Sequence, residues 1–297
     1  MTTLPHSNQR SDDRSNQEFQ RMLYQFRQSP LSVVGLIMVS FIVIVALLGP
    51  ALVPFPQDAT GTTRMKDRML GPNDVYLMGT DDVGRDVFSR TVIATQTSLV
   101  IGVVVLVIAI LIGLPLGAIS GYFGGWIDEI IMRVTDVFLT VPALLLAMAM
   151  AAALGAGMTN AMLAIALVWW PGYTRLVRGQ VLALREQDFI EAGRALGANR
   201  WHILWKHVIP NVLSAVIIKA SLDMGFAILV TAGLGYIGVG VQAPTPEWGV
   251  MISEGRGFLR EAWWISVFPG IGMFITVLGF NLLGDGLRDI FDPKQRR

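Results

Sequence analysis

The sequence predicts an all-α membrane protein that crosses the bilayer six times. Its 297 residues are 53% hydrophobic and 15% charged, whereas soluble domains carry about 25% charged residues. The apolar residues are concentrated in runs of about 20, the length that crosses the hydrocarbon core as a helix. Cysteine is absent, which excludes disulfides, thiolate metal sites and a cysteine nucleophile. The net charge of +1 gives no indication of a nucleic-acid partner.

The first 30 residues form a polar tail that contains one short apolar pattern. Phe19, Met22, Leu23 and Phe26 recur at the spacing of an amphipathic helix. This helix could lie on the membrane surface or pack as a short element against the protein, and the pattern leaves both interpretations open. The first apolar run begins at Leu31, too late for a cleaved signal peptide, so we expect a signal-anchor span there.

Six apolar stretches follow the tail. The first ends at Gly49-Pro50 and leads into an external loop that continues to residue 96. The interval between Asp136 and Arg175 contains no charge and is long enough for two spans, with a tight turn predicted at GAGMTN. The predicted spans are 31–48, 97–120, two within 137–174, 212–241 and 263–283, the fourth of them ending near Pro171.

Basic residues predict the orientation of these spans. Lysine and arginine are concentrated in three segments: the N-terminal tail, the 172–211 loop and the C-terminal tail. With six spans, all three segments lie on the same side of the membrane. The positive-inside rule makes that side the cytoplasm. The sequence therefore divides into a cytoplasmic tail (1–30), a first span with its external loop (31–96), a membrane core (97–286) and a second cytoplasmic tail (287–297).

The 172–211 loop contains a polar segment, EAGRALGANRWHILWKHVIPN, that begins at Glu191. Asp188 is predicted to cap a first helix, with Glu191 completing a capping box and Gly197 ending that helix. Asn199 is predicted to cap a second helix that Pro210 ends. The pattern indicates two short amphipathic helices at an elbow, and an ordinary interfacial connector fits it as well. The expected apolar faces are Phe189, Ala192 and Leu196 in the first helix and Trp201, Leu204, Trp205 and Val208 in the second.

This segment resembles the cytoplasmic signature of the permease subunits of binding-protein-dependent ABC importers. That signature is Glu-Ala-Ala, three residues, Gly, nine residues and Ile-x-Leu-Pro. The sequence departs from it at three positions, where Gly replaces the third Ala, His replaces Ile and Ile replaces Leu. Three other stretches are also similar to the dipeptide and oligopeptide branch, and in particular to its second, C-type permease. The matching residues are Glu191-Ala192-Gly193, Gly197 and His207-Val208-Ile209-Pro210, together with 79–90 (GTDDVGRDVFSR), 244–249 (PTPEWG) and 280–293 (FNLLGDGLRDIFDP).

The resemblance implies the fold of a type I ABC importer permease in a prokaryotic inner membrane. It implies four kinds of partner: a paralogous permease, two ATP-binding subunits that hold ATP and magnesium, an extracytoplasmic substrate-binding protein and membrane lipid. Peptides are the expected cargo, while related importers carry nickel, glutathione, opines or sugars. The helices of the elbow become coupling helices that dock on the ATPase. The coupling residues carried over are Glu191, Ala192, Gly193, Gly197, Ile209 and Pro210.

Two charges lie deep in the fifth predicted span. Lys219 and Asp223 are four residues apart and therefore share one helical face. An unpaired charge at this depth costs at least about 2.5 kcal/mol, so we expect the two side chains to pair. Mutual neutralisation explains the pair, and so does a position on the translocation path, where a zwitterionic substrate would meet both signs.

Other motifs indicate no enzyme activity in this chain. The sequence lacks GxxxxGK[ST], so ATP hydrolysis is expected in partner subunits, and neither a catalytic set nor a metal site is predicted. The GxGxxG pattern that begins at Gly233 lies at the end of a span, where close packing explains it. Asp81, Asp82 and Asp86 are expected to act as caps or to pair with arginine. A secondary transporter or channel remains the alternative, although it would not need the coupling signature.

Two further patterns concern packing and the membrane interface. Gly113, Gly117 and Gly121 stand four residues apart, as in helices that approach each other closely. Trp263 and Trp264 suit an outer interfacial belt, and Trp248 suits either that belt or the core. The loop between the last two spans, about 242–262, is expected to face outward.

Overall fold

The computed structural model describes residues 29–291, and these residues form ten α-helices. Within that range no strand occurs, and Thr80 and Asp86 form one isolated bridge. The predicted amphipathic helix at residues 19–26 lies outside the described residues. The helices are α1 (Pro30–Leu52), α2 (Val87–Phe123), α3 (Gly125–Thr140), α4 (Ala143–Leu154), α5 (Met158–Arg185), α6 (Asp188–Ala195), α7 (Arg200–Ile203), α8 (Ile209–Ile237), α9 (Trp248–Gly255) and α10 (Trp264–Phe291).

Helix α2 begins ten residues earlier than the predicted second span. Asp86 caps it, because its Oδ2 accepts a hydrogen bond from the backbone N–H of Ser89 at 2.8 Å. At 37 residues the helix is about 55 Å long, more than the roughly 30 Å of the hydrocarbon core. Its first turns, including the buried Ser89 and Arg90, pack at the end of the bundle opposite to the elbow and carry no span-like apolar pattern.

The predicted third span is not one straight helix. Helices α3 and α4 meet at an angle of 91° across Val141-Pro142. Proline disfavours a helical conformation in the residue before it, which explains the break at Val141. The turn that GAGMTN predicts after α4 is present, since α4 ends at Leu154 and α5 begins at Met158.

Helix α5 continues 14 residues beyond Pro171, where the fourth span was expected to end. Pro171 is buried inside the helix, and the Oγ1 of Thr174 donates to the carbonyl oxygen of Trp170 at 3.1 Å beside it. Tight packing of α5 on α2 holds the helix together despite the missing proline N–H. The predicted 172–211 loop is therefore wrong in its first part, which is helical as far as Arg185.

The three spaced glycines of α2 let it approach α5 closely, as predicted. A Cβ on Gly113 would lie 2.7 Å from the carbonyl oxygen of Trp170, and one on Gly117 would lie 2.5 Å from that of Thr174. Distances this short exclude any side chain at these positions. Because the contacts advance together along both helices, α2 and α5 run parallel.

Helices α1 and α10 run antiparallel. Gly286, near the end of α10, lies against Ser32 at the start of α1, and Gly35 lies against the backbone of Leu283. The start of the first described helix and the end of the last are therefore neighbours.

Helices α8 and α10 are also antiparallel. Gly284 lies against Leu222, and Gly225 lies against Val277. The start of α8 consequently lies at the same end of the bundle as the end of α10. The elbow precedes α8, so the elbow, the start of α1 and the end of α10 all lie at one end of the described bundle.

The part of the chain that the structure describes contains four helices long and apolar enough to cross a membrane. They are α1, α2, α10 and the continuous Arg200–Ile237 segment, and the bent pair α3–α4 makes a fifth if it crosses as one unit. Helix α5 is 28 residues long, but the tryptophan, tyrosine and threonine residues in its middle reduce its apolar character. The count of six spans is thus not confirmed.

Candidate functional site

The polar segment after α5 folds into the predicted elbow. Helix α6 ends at a left-handed Gly197, whose φ is +77°. The N–H of Gly197 donates to the carbonyl of Arg194 at 2.9 Å, and that of Ala198 donates to Gly193 at 3.1 Å. Asn199 caps the second helix by accepting from the N–H of Trp201 at 2.9 Å. The glycine end and the asparagine cap are confirmed.

Two details of the predicted elbow are wrong. The N-cap position of α6 is occupied by Gln187, and Asp188 is the first helical residue, with no capping hydrogen bond from a side chain. Pro210 does not end the second helix, since a π-turn at Leu204–Val208 leads directly into α8. Pro210 stands in the first turn of α8, where a missing N–H costs little. The amide of Asn211 donates to the carbonyl of His207 at 2.6 Å beside it.

The face of α6 that was predicted to be buried is exposed. Leu196 is 88% exposed and Phe189 is 47% exposed, while Ile190, which the pattern missed, is 1% exposed. In the second helix the prediction holds for the buried Leu204 and Val208 and fails for Trp201 and Trp205, which are half-exposed. The elbow therefore carries large apolar side chains that the rest of residues 29–291 leaves exposed or half-exposed.

The residues carried over from the signature fall into two groups. Glu191 and Ala192 are exposed on α6, and Gly193 is half-buried against Ile203 of the second helix. Ile209 is buried and Pro210 exposed at the start of α8. The first group lies on the outer surface of the elbow, whereas Ile209 helps to attach the elbow to the bundle.

Lys219 and Asp223 form the predicted ion pair on α8. The Nζ of Lys219 lies 3.0 Å from Oδ2 of Asp223 and donates to its Oδ1 at 3.1 Å. The same Nζ lies 5.2 Å from the ring centroid of Tyr173 on α5. The hydroxyl of Tyr173 is buried, and Oδ2 of Asp223 is buried beneath the ammonium group of Lys219. The three side chains form a polar cluster between α5 and α8, called here the α5–α8 cluster, in which Lys219 contacts both carboxylate oxygens of Asp223.

Two aspartates of the GTDDVGRD stretch act as expected: Asp81 pairs with arginine and Asp86 caps α2, whereas Asp82 makes neither kind of contact within residues 29–291. Oδ2 of Asp81 lies 2.6 Å from Nε of Arg85 and 2.5 Å from Nη1 of Arg90. Glu254, at the end of α9, lies 2.9 Å from the same Nη1. Two guanidinium groups and two carboxylates thus form a balanced, largely buried cluster that fastens the external loop to α9.

Three further features lie at the end of the bundle opposite to the elbow. The GxGxxG stretch ends α8 at Gly238, in agreement with a packing role. Trp248 and Trp264 are buried, which leaves Trp263 as the half-exposed member of the predicted interfacial belt. Glu247 caps α9 by accepting from the N–H of Val250 at 3.0 Å, and burial raises the pKa of its carboxyl.

Comparison with known families identifies this arrangement of helices and elbow. Residues 113–297 match the family described as the binding-protein-dependent transport system inner membrane component. The chain belongs to this family. Residues 18–72 match the N-terminal transmembrane domain of oligopeptide transport permease C, in agreement with the predicted C-type branch. This member of the binding-protein-dependent permease family is therefore a multi-pass inner-membrane subunit of an ATP-driven importer.

Similar permeases cover nearly the whole chain. The probable D,D-dipeptide transport system permease protein DdpC of Escherichia coli is 44% identical over 274 residues, covering 92% of this chain and 91% of that protein. The dipeptide transport system permease protein DppC of Alkalihalophilus pseudofirmus is 42% identical, with 92% and 88% covered. The glutathione transport system permease protein GsiD of Pectobacterium atrosepticum is 38% identical, with 99% and 96% covered.

A solved structure has the same fold. An inward-facing structure of the MetNI methionine ABC transporter aligns with a TM-score of 0.56 at 20% identity, covering 67% of this chain and 95% of the aligned one. The alternative of a secondary transporter or channel is not favoured by any of these similarities.

Proposed function

We propose that this permease subunit forms half of a translocation path for peptides. The relatives named for dipeptide transport are more than 40% identical to it across almost its full length. A glutathione permease is also similar, and glutathione is itself a small peptide with free carboxylate and amino groups. Short zwitterionic peptides are therefore the proposed cargo.

The proposed assembly contains a paralogous permease, two ATP-binding subunits and an extracytoplasmic binding protein. ATP and magnesium are bound by the ATP-binding subunits, which dock on the elbow. The exposed Leu196, Phe189 and Trp205 support this docking, because large apolar side chains at the surface of a protein mark interaction sites. Glu191, Ala192, Gly193 and Gly197 are the residues proposed to couple to the ATPase, together with Ile209 and Pro210.

The elbow is built to transmit motion to the membrane. The segment Arg200–Ile237 is continuous, so a displacement of the second elbow helix moves the start of α8 directly. On the other side, two residues separate α5 from α6. We infer that ATP-driven movement of the docked ATPase rotates or shifts α5 and α8 together.

Six spans with both tails in the cytoplasm complete the proposal. Helix α5 is proposed as the fourth crossing, although it is less apolar than the other spans. Its parallel packing beside α2, which is apolar enough to span the membrane, supports this assignment. The bent pair α3–α4 supplies the third crossing. The common location of the elbow, the start of α1 and the end of α10 agrees with an even number of crossings.

The α5–α8 cluster is proposed to line the path. Lys219 and Asp223 are 30% and 16% exposed in the isolated chain, so both remain reachable. A peptide carboxylate has a charge partner in Lys219, and a peptide amine has acceptors in Asp223 Oδ2 and the hydroxyl of Tyr173. The partial exposure of this charged pair on a helix of the bundle is the observation on which the proposed path depends.

Charge-neutralising variants test the role of the cluster. Lys219→Met and Asp223→Leu each leave one unpaired charge, which should impair assembly. The double variant Lys219→Met/Asp223→Leu should assemble normally and yet take up dipeptide at least about tenfold more slowly, since it removes charge-assisted hydrogen bonds of roughly 1.5–3 kcal/mol. Uptake into proteoliposomes with the binding protein and ATPase is the measurement. Normal transport by the double variant would reduce the pair to a structural role.

Thiol labelling provides an independent test in a chain without cysteine. Asp223→Cys in the assembled transporter should react with a water-soluble maleimide in at least one nucleotide state. Met224→Cys is the matched control, because Met224 is buried against α2 and should stay protected. Complete protection of position 223 in every nucleotide state would exclude a path-lining role.

A further inference from the structure

A cavity of about 310 Å³ lies where the ends of α2 and α5 meet the elbow. Its volume falls at the lower end of the range for small-molecule sites, roughly 300–1,000 Å³. Two aromatic and four charged side chains surround it. This cavity, called here the arginine pocket, is lined by Tyr122, Phe123, Arg185, Glu186, Arg194 and Arg200.

Positive charge is in excess in the arginine pocket. Three guanidinium groups face one carboxylate, and that carboxylate is already taken, because Glu186 lies 3.2 Å from Nε of Arg185. Arg194 and Arg200 are exposed and have no carboxylate within 4.0 Å among residues 29–290. The guanidinium of Arg194 instead lies 5.5 Å from the ring centroid of Tyr122. Like charges gathered in this way repel one another unless an anion or solvent separates them.

Tyr122 provides a second, independent sign of a missing ligand. Its side chain is buried, with 5% of the residue exposed, and its hydroxyl makes no hydrogen bond to any residue of the described chain. Buried hydroxyl groups are normally satisfied, since an unpaired one is energetically unfavourable. The arginines would neutralise a phosphate in the pocket, and a shift of the Tyr122 side chain would bring its hydroxyl to a phosphate oxygen.

We propose that the arginine pocket binds the phosphate group of an anionic phospholipid. The pocket lies beside the last turn of α2, a helix long and apolar enough to cross a membrane. Phe123 and Trp201 pack together there with ring centroids 4.9 Å apart, as aromatic residues do at a membrane interface. Basic pockets at the ends of membrane helices are suited to acidic headgroups, and arginine matches phosphate geometry.

The bound lipid would connect four elements, two of them the helices of the elbow and two the parallel helices α2 and α5. Arg185 belongs to α5, Arg194 to α6 and Arg200 to α7, and Tyr122 belongs to α2. One phosphate held by these side chains fixes the elbow against the two parallel helices.

Native mass spectrometry of the full chain with its co-purifying partners tests this proposal. The protein is extracted from nanodiscs of equal parts phosphatidylglycerol and phosphatidylcholine, and the lipid retained is measured. The wild type should retain phosphatidylglycerol in preference. Arg194→Gln/Arg200→Gln should weaken its retention about thirtyfold, since each arginine contributes about 1 kcal/mol toward an anionic lipid. Tyr122→Phe should weaken it roughly two- to tenfold through one lost hydrogen bond.

Arg288→Gln is the matched control, because Arg288 is an exposed arginine in the last turn of α10 and does not line the pocket. It should leave retention unchanged. Equal retention of both lipids, or no effect of the double variant, would overturn the proposal. Displacement of the lipid by millimolar inorganic phosphate would assign the pocket to a soluble anion instead. If the chain retains the lipid only after its partners are removed, the arginine pocket would be assigned to a carboxylate of the docked ATPase.

Discussion

At the residue scale, the external cluster around Asp81 shows how this protein tolerates buried charge. Arg90 is 1% exposed, and its Nη1 contacts both Asp81 and Glu254. Asp81 also accepts from the N–H groups of Val83 and Arg85 through Oδ1. Two charges of each sign cancel, and the cluster holds the loop before α2 to the end of α9.

Removing one carboxylate should leave a buried arginine without its counter-charge. Asp81→Asn is expected to destabilise the folded protein by about 3–5 kcal/mol, the cost of breaking a buried pair from one side. Thermal unfolding of the purified protein is the measurement. Asp74→Asn, in the same loop but exposed, should change stability by less than about 0.5 kcal/mol. Equal shifts for the two variants would show that Asp81 contributes no more than a surface charge.

Local residue chemistry was predictable where the partner lies nearby in the sequence. The pairing of Asp81 with Arg85 and the cap at Asn199 follow from short spacings and are correct. Asp188 was assigned as a cap from the same kind of pattern. In the structure Gln187 occupies the cap position, and Asp188 is the first residue of α6. Tyr122 gave no signal in the sequence, since its environment comes from three distant segments.

At the element scale, the elbow depends on one backbone conformation. Gly197 has a φ of +77°, which disfavours any residue with a Cβ, and a Cβ there would meet open space. Gly193 has an ordinary φ, and a Cβ on it would lie 3.8 Å from Ile203. The two glycines of the signature therefore differ: the first can accept alanine, and the second cannot accept a side chain without strain.

This difference predicts opposite outcomes for two small changes in the elbow. Gly197→Val should insert normally into the membrane but lose substrate-stimulated ATPase activity in the assembled complex, because left-handed strain of about 1–2 kcal/mol reorients the elbow. Gly193→Ala should retain most of that activity. ATP hydrolysis with and without the loaded binding protein measures both.

Charge reversal on the same helix gives a related test. Glu191→Lys places a cation in the first turn of α6, where the helix dipole disfavours it, and on the proposed docking surface. If Gly197→Val and Glu191→Lys both keep full stimulated activity, the elbow is not the coupling element.

Proline and burial explain why element boundaries were the least predictable feature. Pro171 and Pro210 were both expected to end helices, and both lie within helical segments. At Pro171, close packing on α2 maintains the helix, and at Pro210 a π-turn and the first turn of α8 absorb the missing N–H. Pro142 does break its helix, because proline disfavours a helical conformation at the preceding Val141.

At the scale of the whole molecule, the all-helical membrane fold and the elbow were predictable, and the number of crossings was not settled. Long apolar runs in the sequence indicate helices that face lipid, such as α1, α2 and α10. Helix α5 is packed against α2 and α8, so its inward surface carries Trp169, Trp170 and Tyr173 in place of aliphatic residues. A helix enclosed by other helices does not need the composition of a lipid-facing span.

The topology can be tested by single cysteines in the cysteine-free chain. Thr62→Cys lies in the exposed external loop, and Leu196→Cys lies on the elbow. In intact cells a membrane-impermeant maleimide should label position 62 and leave position 196 unlabelled, and inside-out vesicles should show the reverse. Arg10→Cys and Arg297→Cys should behave like position 196.

The controls decide how such a labelling result is interpreted. Each variant must react fully after denaturation, so that a lack of labelling reports the membrane and not a buried thiol. We propose three crossings between positions 62 and 196: α2, the bent pair α3–α4 and α5. Labelling of both positions from the same side would instead require an even number of crossings between them. In that case either α5 or the bent pair α3–α4 does not cross, and the elbow would face the binding protein rather than the ATPase. A difference between positions 10 and 297 would mean an odd total of crossings. Six crossings fit one pattern, in which position 62 is labelled from one side of the membrane and positions 10, 196 and 297 from the other. In that pattern the parallel helices α2 and α5 both cross the membrane toward the side of the elbow.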